Sequence, residues 1–311
     1  MKKLIISVVT LVLCGSMVHA QDINAATDLY NAGATALNEG NNAAALQSFN
    51  EALVMAEALG DEGAELAANC KIYIPTIQFK IAKGLVNSGE LDQAIEELGK
   101  TVEIARKYGK DEIAVEVESI IPQVYMQKAN GLLNEKDYAG AIENYKNVLS
   151  LVPTNGIAAL RLGTALEQSG DDEGAVNAYL NAMENGQEKA AAKQLNKFYL
   201  KNAAANLKAK KYAEAVDDAL KSNEYGESPT AYQIAGTASK TMGKNADAAQ
   251  YLEKYLELAP DAKNAAQIAC TVAQSYQKLG NVAKAREYYK KAENDPKYGP
   301  AAKQQLEKLG K

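Results

Sequence analysis

Histidine and tryptophan are almost absent from this sequence. Its 311 residues include one histidine, His19, and no tryptophan. His19 lies in a leader that we expect to be removed, so the remaining chain would have no histidine. Histidine is the commonest general base and the commonest metal ligand in proteins. Because phosphate loops, nucleophile motifs and paired-cysteine metal motifs are missing as well, the sequence predicts a non-catalytic protein without metal or cofactor.

Cysteine is also scarce. Three cysteines occur, Cys14, Cys70 and Cys270, and Cys14 lies in the expected leader. Cys70 and Cys270 are 200 residues apart in sequence, and in an extended array they would be too distant for a disulfide. Two isolated thiols do not make a zinc site either. We therefore expect both to be small buried side chains.

Large aromatic rings and an excess of positive charge are missing too. The chain has 17 Tyr and 3 Phe, whereas alanine is frequent, which favours helices packed closely through small side chains. The formal net charge is −5. Removing Lys2 and Lys3 with the leader leaves 32 basic and 39 acidic residues, a net charge of −7. This balance gives no basic footprint for nucleic acid.

The N-terminal segment, residues 1–20, has the pattern of a secretory signal peptide. Lys2 and Lys3 form a basic start, residues 4–13 are an apolar run, and Val18 and Ala20 are the small residues that a signal peptidase reads. The run is too short for a permanent membrane anchor. We expect cleavage after Ala20 and export, with the bacterial periplasm as the destination.

A lipoprotein is the second interpretation of the same segment. Cys14 would then be the acylated first residue of the mature chain. Bacterial lipoprotein signals have a small residue before that cysteine, and Leu13 stands there in this sequence. Simple secretion is therefore ranked first.

A repeated pair of helices organises the rest of the chain. Residues 122–187 contain two successive blocks, each of which predicts two short amphipathic helices joined by a polar turn. An alanine opens the second helix of each block, and its equivalents recur at gaps of 49, 47, 34, 40, 33 and 37 residues: Ala45, Ala94, Ala141, Ala175, Ala215, Ala248 and Ala285. Such self-similarity predicts a helical repeat array.

These residues resemble the motif of the tetratricopeptide repeat family. Its Leu-Gly pair, alanine, aromatic residue and second alanine are matched by Leu162, Gly163, Ala175, Tyr179 and Ala182. The resemblance covers roughly residues 26–299. It implies an all-α, right-handed superhelical solenoid of about seven helix-turn-helix repeats, with a C-terminal capping helix at 300–311.

The implied units fall near residues 26–59, 75–108, 122–155, 156–189, 196–229, 229–262 and 266–299. The first three are separated by further helical stretches, as in longer-period variants of the family. Pro75 and Pro122 are expected where a helix starts or kinks.

The family resemblance also implies a ligand-binding surface. The first helix of each pair lines a concave groove, in which extended peptides or partner helices lie. Matching positions one by one gives these groove residues: Tyr30, Asn31, Phe79, Lys80, Lys83, Asn87, Gln127, Asn130, Asn134, Arg161, Lys197 and Lys201. The amides suit a peptide backbone, and the basic residues would form a local positive strip. The alternative is that all are ordinary solvated side chains.

Two further residues bear on the choice of ligand. The family's clamp for acidic C-terminal peptides needs a Lys and an Asn one turn apart in the first unit, where Tyr30 and Ala34 stand. That ligand is therefore disfavoured. Cys270 falls at a groove-facing position of the seventh unit.

The resemblance implies an exported, non-catalytic scaffold that binds a protein or peptide partner in the groove and helps to assemble a cell-envelope complex. Two alternatives stay open. One is a lipid-anchored subunit of an outer-membrane machine. The other is an enzyme on a helical array, which the missing catalytic motifs disfavour.

Overall fold

The computed structural model describes residues 23–310, and all regular secondary structure in this range is helical. The α-helices, in chain order, are α1 Ile23–Asn38, α2 Asn42–Ala58, α3 Ala64–Ser88, α4 Leu91–Lys107, α5 Asp111–Asn134, α6 Tyr138–Leu151, α7 Gly156–Ser169, α8 Asp172–Ala182, α9 Glu188–Lys208, α10 Tyr212–Tyr225, α11 Pro229–Thr241, α12 Asn245–Leu258, α13 Ala265–Lys278, α14 Val282–Ala292 and α15 Gly299–Leu309. A 3₁₀ turn, Gly60–Gly63, precedes α3, and a turn with non-helical backbone at Asn185 and Gly186 precedes α9. The predicted all-α class is confirmed, while the handedness and the number of repeats stay predictions.

The described chain divides into two compact units, residues 23–130 and residues 131–310. In the first unit, α2 packs on α1 and α3, and α3 packs on α4. Its core has two apolar clusters, one around Phe49, Cys70 and Ile74 and one around Leu98 and Val117.

In the second unit, each helix from α6 to α15 packs on the next along the chain. One core cluster gathers small side chains such as Ala203, Ala219 and Ala235. Another, with Leu252, Val272 and Tyr289, ends against α15. Because most contacts join consecutive helices, each helix is stabilised mainly by its neighbours, as the repeat pattern predicts.

Seven turns, each before the second helix of a predicted unit, share one backbone geometry, which the turn at Gly109 between α4 and α5 also has. Each contains a residue with φ between 62° and 88°, and these residues are Gly40, Gly89, Lys136, Gly170, Lys210, Gly243 and Gly280. The next residue donates its N–H to a carbonyl five residues back, as Asp171 does to Leu166 at 3.0 Å. This bond closes the C-terminus of the first helix of each pair.

The seven alanines identified in the sequence stand five residues after these left-handed residues. Each of the seven is 0% exposed. The alanine spacing therefore follows the spacing of the turns, and the small side chain lets the paired helices come close. At Gly163 the approach is closest to an aromatic ring, because an added Cβ would lie 2.6 Å from the ring of Tyr179.

The structure corrects one part of the expectation for the two prolines, the helix start, and the kink stays a prediction. Pro75 and Pro122 lie well inside α3 and α5, and no helix begins at either one. A proline removes one helical hydrogen bond, and tertiary packing must offset that loss. The buried residues Ile74 and Ile77 flank Pro75, and Val117 and Val124 lie on either side of Pro122.

The cysteine prediction is confirmed for the two cysteines within the described range. Cys70 and Cys270 are both free and buried. Cys14 and the rest of the expected leader lie outside the described residues. Among residues 23–310, none of the helices is both long and apolar enough to cross a membrane.

Candidate functional site

Eight of the twelve predicted groove residues belong to the first unit. Asn31, Lys80, Asn87 and Gln127 are exposed on their helices, and Asn130 is half-buried. The side chains of Asn31 and Asn87 and the ammonium group of Lys80 therefore face solvent and are accessible to a ligand.

Aromatic packing occupies another predicted groove residue, Tyr30. Its half-buried ring meets Phe49 edge-on, with centroids 5.2 Å apart, and Tyr73 at 6.1 Å. Burial and a hydrogen bond with Tyr73 raise the pKa of Tyr30. Tyr30 therefore helps to hold α1 against α2 and α3, and only part of its ring is available to a ligand.

Phe79 is a correction to the predicted set. Its side chain lies in the second core cluster of the first unit and is 5% exposed. The ammonium of Lys83 lies 3.7 Å from the centre of the Phe79 ring and 3.4 Å from the Glu116 carboxylate. Phe79 is thus a packing residue, and Lys83 already has two neighbours that balance its charge.

Four predicted groove residues belong to the second unit. Asn134, Arg161, Lys197 and Lys201 are all exposed. Arg161 hydrogen-bonds Tyr145, whose pKa is raised by burial and held back by that guanidinium. Lys201 lies 3.7 Å from the Glu167 carboxylate, which joins α9 to α7.

The second unit also contains a pocket between α13, α14 and α15. Its volume is about 380 Å³. The residues that line it are Gln267, Cys270, Thr271, Gln274, Gln277, Tyr289, Tyr298, Ala301, Ala302 and Gln305. We call it the glutamine pocket, because four of its lining residues are glutamines and none carries a charge at neutral pH.

Helical spacing explains why α13 supplies one wall of the glutamine pocket. Gln267, Thr271 and Gln274 stand at positions i, i+4 and i+7, which share one face of a helix. A neighbouring face of α13 carries Ile268, Val272 and Ser275, which are buried. Packing of the apolar face therefore fixes the amide face toward the pocket.

Hydrogen bonding leaves three of the glutamines available. Gln277 accepts a bond from the Tyr289 hydroxyl at 3.0 Å, and the Thr271 hydroxyl donates to the Gln267 carbonyl at 3.0 Å. The side-chain amides of Gln267, Gln274 and Gln305 form no hydrogen bond within residues 23–310. Each can both donate to and accept from a ligand.

Cys270 lies on the wall of the glutamine pocket but is only 9% exposed. Burial, with a smaller contribution from Asp295, raises the pKa of its thiol. A raised pKa keeps the sulfur protonated at neutral pH, so Cys270 is a poor nucleophile there. The same holds for Cys70, whose pKa burial raises to about 11.

No metal-binding cluster forms in the part of the chain that the structure describes. Groups of three or more His, Cys, Asp or Glu side chains that could hold an ion are not found in it. Asp171, Asp172 and Glu173, the acidic run nearest to such a pattern in sequence, start α8 instead. The Asp171 carboxylate accepts from the N–H of Gly174 at 2.9 Å and caps the helix.

The twelve predicted residues did not include those of the glutamine pocket. The predicted positions came from the first helices of the earlier units, and Cys270 was the one pocket residue singled out. A sequence signal does exist, because the spacing of Gln267, Thr271 and Gln274 places them on one face of a helix. That α13 and α15 face each other across a pocket required the tertiary structure.

Comparison with family models identifies repeats in the second unit. Tetratricopeptide repeat models match residues 132–197, 229–262 and 266–294. A comparison with curated proteins finds no match.

Solved structures that resemble this chain are tetratricopeptide repeat proteins. A crystal structure of MamA is 21% identical, with 59% of this chain and 96% of that chain covered and a TM-score of 0.35. A complex of the TPR2AB domain of yeast Sti1 with pHSP90 is 17% identical, with coverages of 93% and 99% and a TM-score of 0.36. YrrB, described as having an unusual peptide-binding site, is 19% identical, with coverages of 58% and 91% and a TM-score of 0.32.

The family assignment rests on the matched repeats and on the helix pairs that form them. The matched stretches contain the left-handed turns at Lys136, Gly170, Gly243 and Gly280, and the two helices joined at each of the last three turns pack on one another. Residues 132–197, 229–262 and 266–294 of this chain are therefore tetratricopeptide repeats.

Proposed function

We propose that this protein is a non-catalytic scaffold that binds a polypeptide segment of a partner protein. The observation that carries the proposal is the glutamine pocket of the second unit. It is open to solvent, it has two helical walls, and three of its amides are not engaged within the described chain. The exposed residues Asn31, Asn87 and Gln127 of the first unit would add further contacts.

The chemistry of the pocket suits a peptide backbone. A peptide unit presents one N–H and one C=O, and a glutamine amide can pair with both. Because the lining is uncharged, charged side chains of a ligand gain nothing from entering it. The apolar surfaces of Ala301 and Tyr298 would instead contact small or apolar ligand side chains.

Selection from a random peptide display library against the full chain tests the proposal. We expect enrichment of peptides with an uncharged segment. Their affinity should fall at least about tenfold in the variant Gln267→Glu/Gln274→Glu, because a carboxylate cannot donate a hydrogen bond and is costly to desolvate.

Gln304→Glu is the matched control. Gln304 is exposed on α15 next to Gln305 but does not line the pocket. The control should bind the selected peptides as the parent does. No enrichment of any peptide, or an equal loss in the control, would contradict the proposal.

Export and a role in assembling a cell-envelope complex are further parts of the proposal. They are supported by the basic start and the apolar run of residues 1–20, which lie outside the described residues. Mass spectrometry of the mature N-terminus decides between the routes. A chain that begins at Gln21 means simple secretion, an acylated Cys14 means a lipid anchor, and an unprocessed Met1 would exclude both.

A further inference from the structure

A row of lysines runs along one face of α9. Lys189, Lys193, Lys197 and Lys201 follow one another at intervals of four residues, and all four are exposed. We call them the lysine row. The buried residues of the same helix, Ala191, Leu195, Phe198 and Ala203, point away from it.

The lysine row is unfavourable for the helix itself. Like charges at i and i+4 on a helix repel one another and destabilise it. Residues 188–208 contain five lysines and only one acidic residue, Glu188, although the chain as a whole is acidic. Within the described residues, Lys201 is the one member with an ion pair, to Glu167 at 3.7 Å. Three like charges therefore remain uncompensated on a single helix face.

A shallow depression lies beside the first two lysines. Its volume is about 390 Å³, and Lys189, Lys193, Asn196, Tyr225 and Gly226 are among its lining residues. The Asn196 amide is already bound to the carbonyls of Ser222 and Gly226, at 2.9 and 2.6 Å. The floor is therefore fixed, and the two ammonium groups and the Tyr225 hydroxyl have no hydrogen-bond partner within residues 23–310.

A carboxylate lies near each end of the lysine row. Glu167 lies beside Lys201, and Glu227 lines the depression and accepts a hydrogen bond from Tyr232 at 3.1 Å. A broad anionic surface such as a membrane would approach these carboxylates and be repelled. A narrow, linear ligand would contact the lysines and avoid both carboxylates.

The spacing of the lysine row selects the form of that ligand. Successive lysines are about 6 Å apart along the helix axis, because a helix rises about 1.5 Å per residue. Alternate residues of an extended peptide are about 6.6 Å apart and point to the same side. Carboxylates at every second position of an extended segment would therefore stay in register with the lysines.

We propose that the lysine row binds an extended acidic polypeptide segment with Asp or Glu at alternate positions. The inference rests on the proposed function. It adds a second contact surface to the same unit, one that binds charged ligand side chains, whereas the glutamine pocket binds uncharged ones. Nucleic acid is disfavoured, because the chain is acidic overall and the aromatic rings nearest the row, Phe198, Tyr199 and Tyr225, already pack on one another.

Fluorescence anisotropy with two labelled peptides tests the proposal on the full chain. One peptide alternates Glu and Thr over ten residues, and the other has the same composition in two blocks of five. We expect the alternating peptide to bind at least about tenfold more tightly than the block peptide. Its affinity should weaken as salt rises, because the contact is between exposed charges.

Two triple variants with the same change in net charge distinguish the effect of the lysine row on binding from the effect of net charge. Lys189→Glu/Lys193→Glu/Lys197→Glu should reduce binding of the alternating peptide at least about tenfold. Lys263→Glu/Lys290→Glu/Lys303→Glu changes three exposed lysines elsewhere in the same unit and should reduce it less than about twofold. Circular dichroism of both variants reports whether the helices are retained.

Several outcomes would overturn the proposal. They are absence of binding, equal affinity for the two peptides, an equal loss in both triple variants, or stronger binding to anionic vesicles or to a single-stranded RNA oligonucleotide. Failure of the proposed function can be distinguished from failure of this proposal. The variant Gln267→Glu/Gln274→Glu should retain the alternating peptide, and the lysine-row variant should retain the peptides selected by display.

Discussion

Glycine and alanine occupy the positions at which paired helices come closest. Gly163 faces the ring of Tyr179, and Gly236 faces Leu252, where an added Cβ would be 2.5 Å from the leucine side chain. Burial raises the pKa of Tyr179 to about 12, as expected for a hydroxyl held inside the helix pair. Because Gly163 and Gly236 have no Cβ, the side chains of Tyr179 and Leu252 can fill the space next to the glycine backbone.

Gly163→Ala should destabilise the second unit by about 1–3 kcal/mol, because the added methyl would overlap the Tyr179 ring. Gly131→Ala is the control, since Gly131 is in α5 and has no atom within 4 Å of its Cβ position. It should be neutral or stabilise by up to about 1 kcal/mol. Urea unfolding of both variants measures the difference, and equal free energies of unfolding would contradict this account of the close approach.

Lysine replaces glycine in two of the seven left-handed turns. Lys136 has φ 66° and Lys210 has φ 62°, whereas the other five turns have glycine. A side chain in this conformation is strained, and glycine is not.

Lys210→Gly should therefore stabilise the fold by about 0.5–1 kcal/mol, because relief of this strain exceeds the added freedom of the unfolded chain. Lys290→Gly places the same change inside α14 and should cost about 1 kcal/mol. Thermal unfolding of both checks the prediction. A lower midpoint for Lys210→Gly than for the parent would show that the turn does not need glycine.

At the scale of the element, helix starts differ in how well they are capped. The side chains of Asn41, Asp137, Asn155, Asp171 and Asn281 each accept a backbone N–H at the first turn of a helix. Glu90, Lys211 and Lys244 occupy the same place and form no side-chain cap. A lysine there also brings positive charge to the positive end of the helix dipole.

Lys244→Asn should stabilise α12 by about 1 kcal/mol, because asparagine can accept from the N–H of Asp247 as Asn281 does from Lys284. Asp171→Ala is the reciprocal control and should cost about 1 kcal/mol. Free energies of unfolding from denaturant titration decide the matter. The prediction is wrong if Lys244→Asn leaves the unfolding midpoint unchanged while Asp171→Ala lowers it.

At the scale of the whole molecule, the core is a succession of clusters, and the last of them ends at α15. Ala302, Leu306 and Leu309 of this helix pack on a cluster that contains Cys270 and Tyr289. A repeat array needs such a terminal helix, because its last pair would otherwise expose its apolar face.

Deleting residues 299–311 should make Cys270 reactive toward a thiol reagent at least about tenfold faster, since α15 forms one wall over it. Cys70 is 0% exposed in the first unit and should stay unreactive in both forms. A colorimetric thiol assay, with Cys14→Ser in both chains, measures the rates. An unchanged rate for Cys270 would mean that α15 does not shield it.

The sequence by itself determined the helical pairs and their turns. The seven alanines, the small residues that precede them and the polar turns follow from local backbone geometry and helical periodicity, which a single stretch of chain expresses. The first and last residues of the helices that contain Pro75 and Pro122 could not be predicted in the same way. Proline weakens a helix locally, and only burial against other helices decides whether the helix continues.

The tertiary structure alone decided which side chains are accessible. Family positions placed Phe79 at the ligand surface, but packing puts its ring in the core beneath Lys83. Gln274 and Gln305 are 31 residues apart in sequence and line one pocket because α15 lies beside α13. Burial and juxtaposition depend on contacts between distant residues, and helical periodicity gives only the face of each helix on which a residue lies.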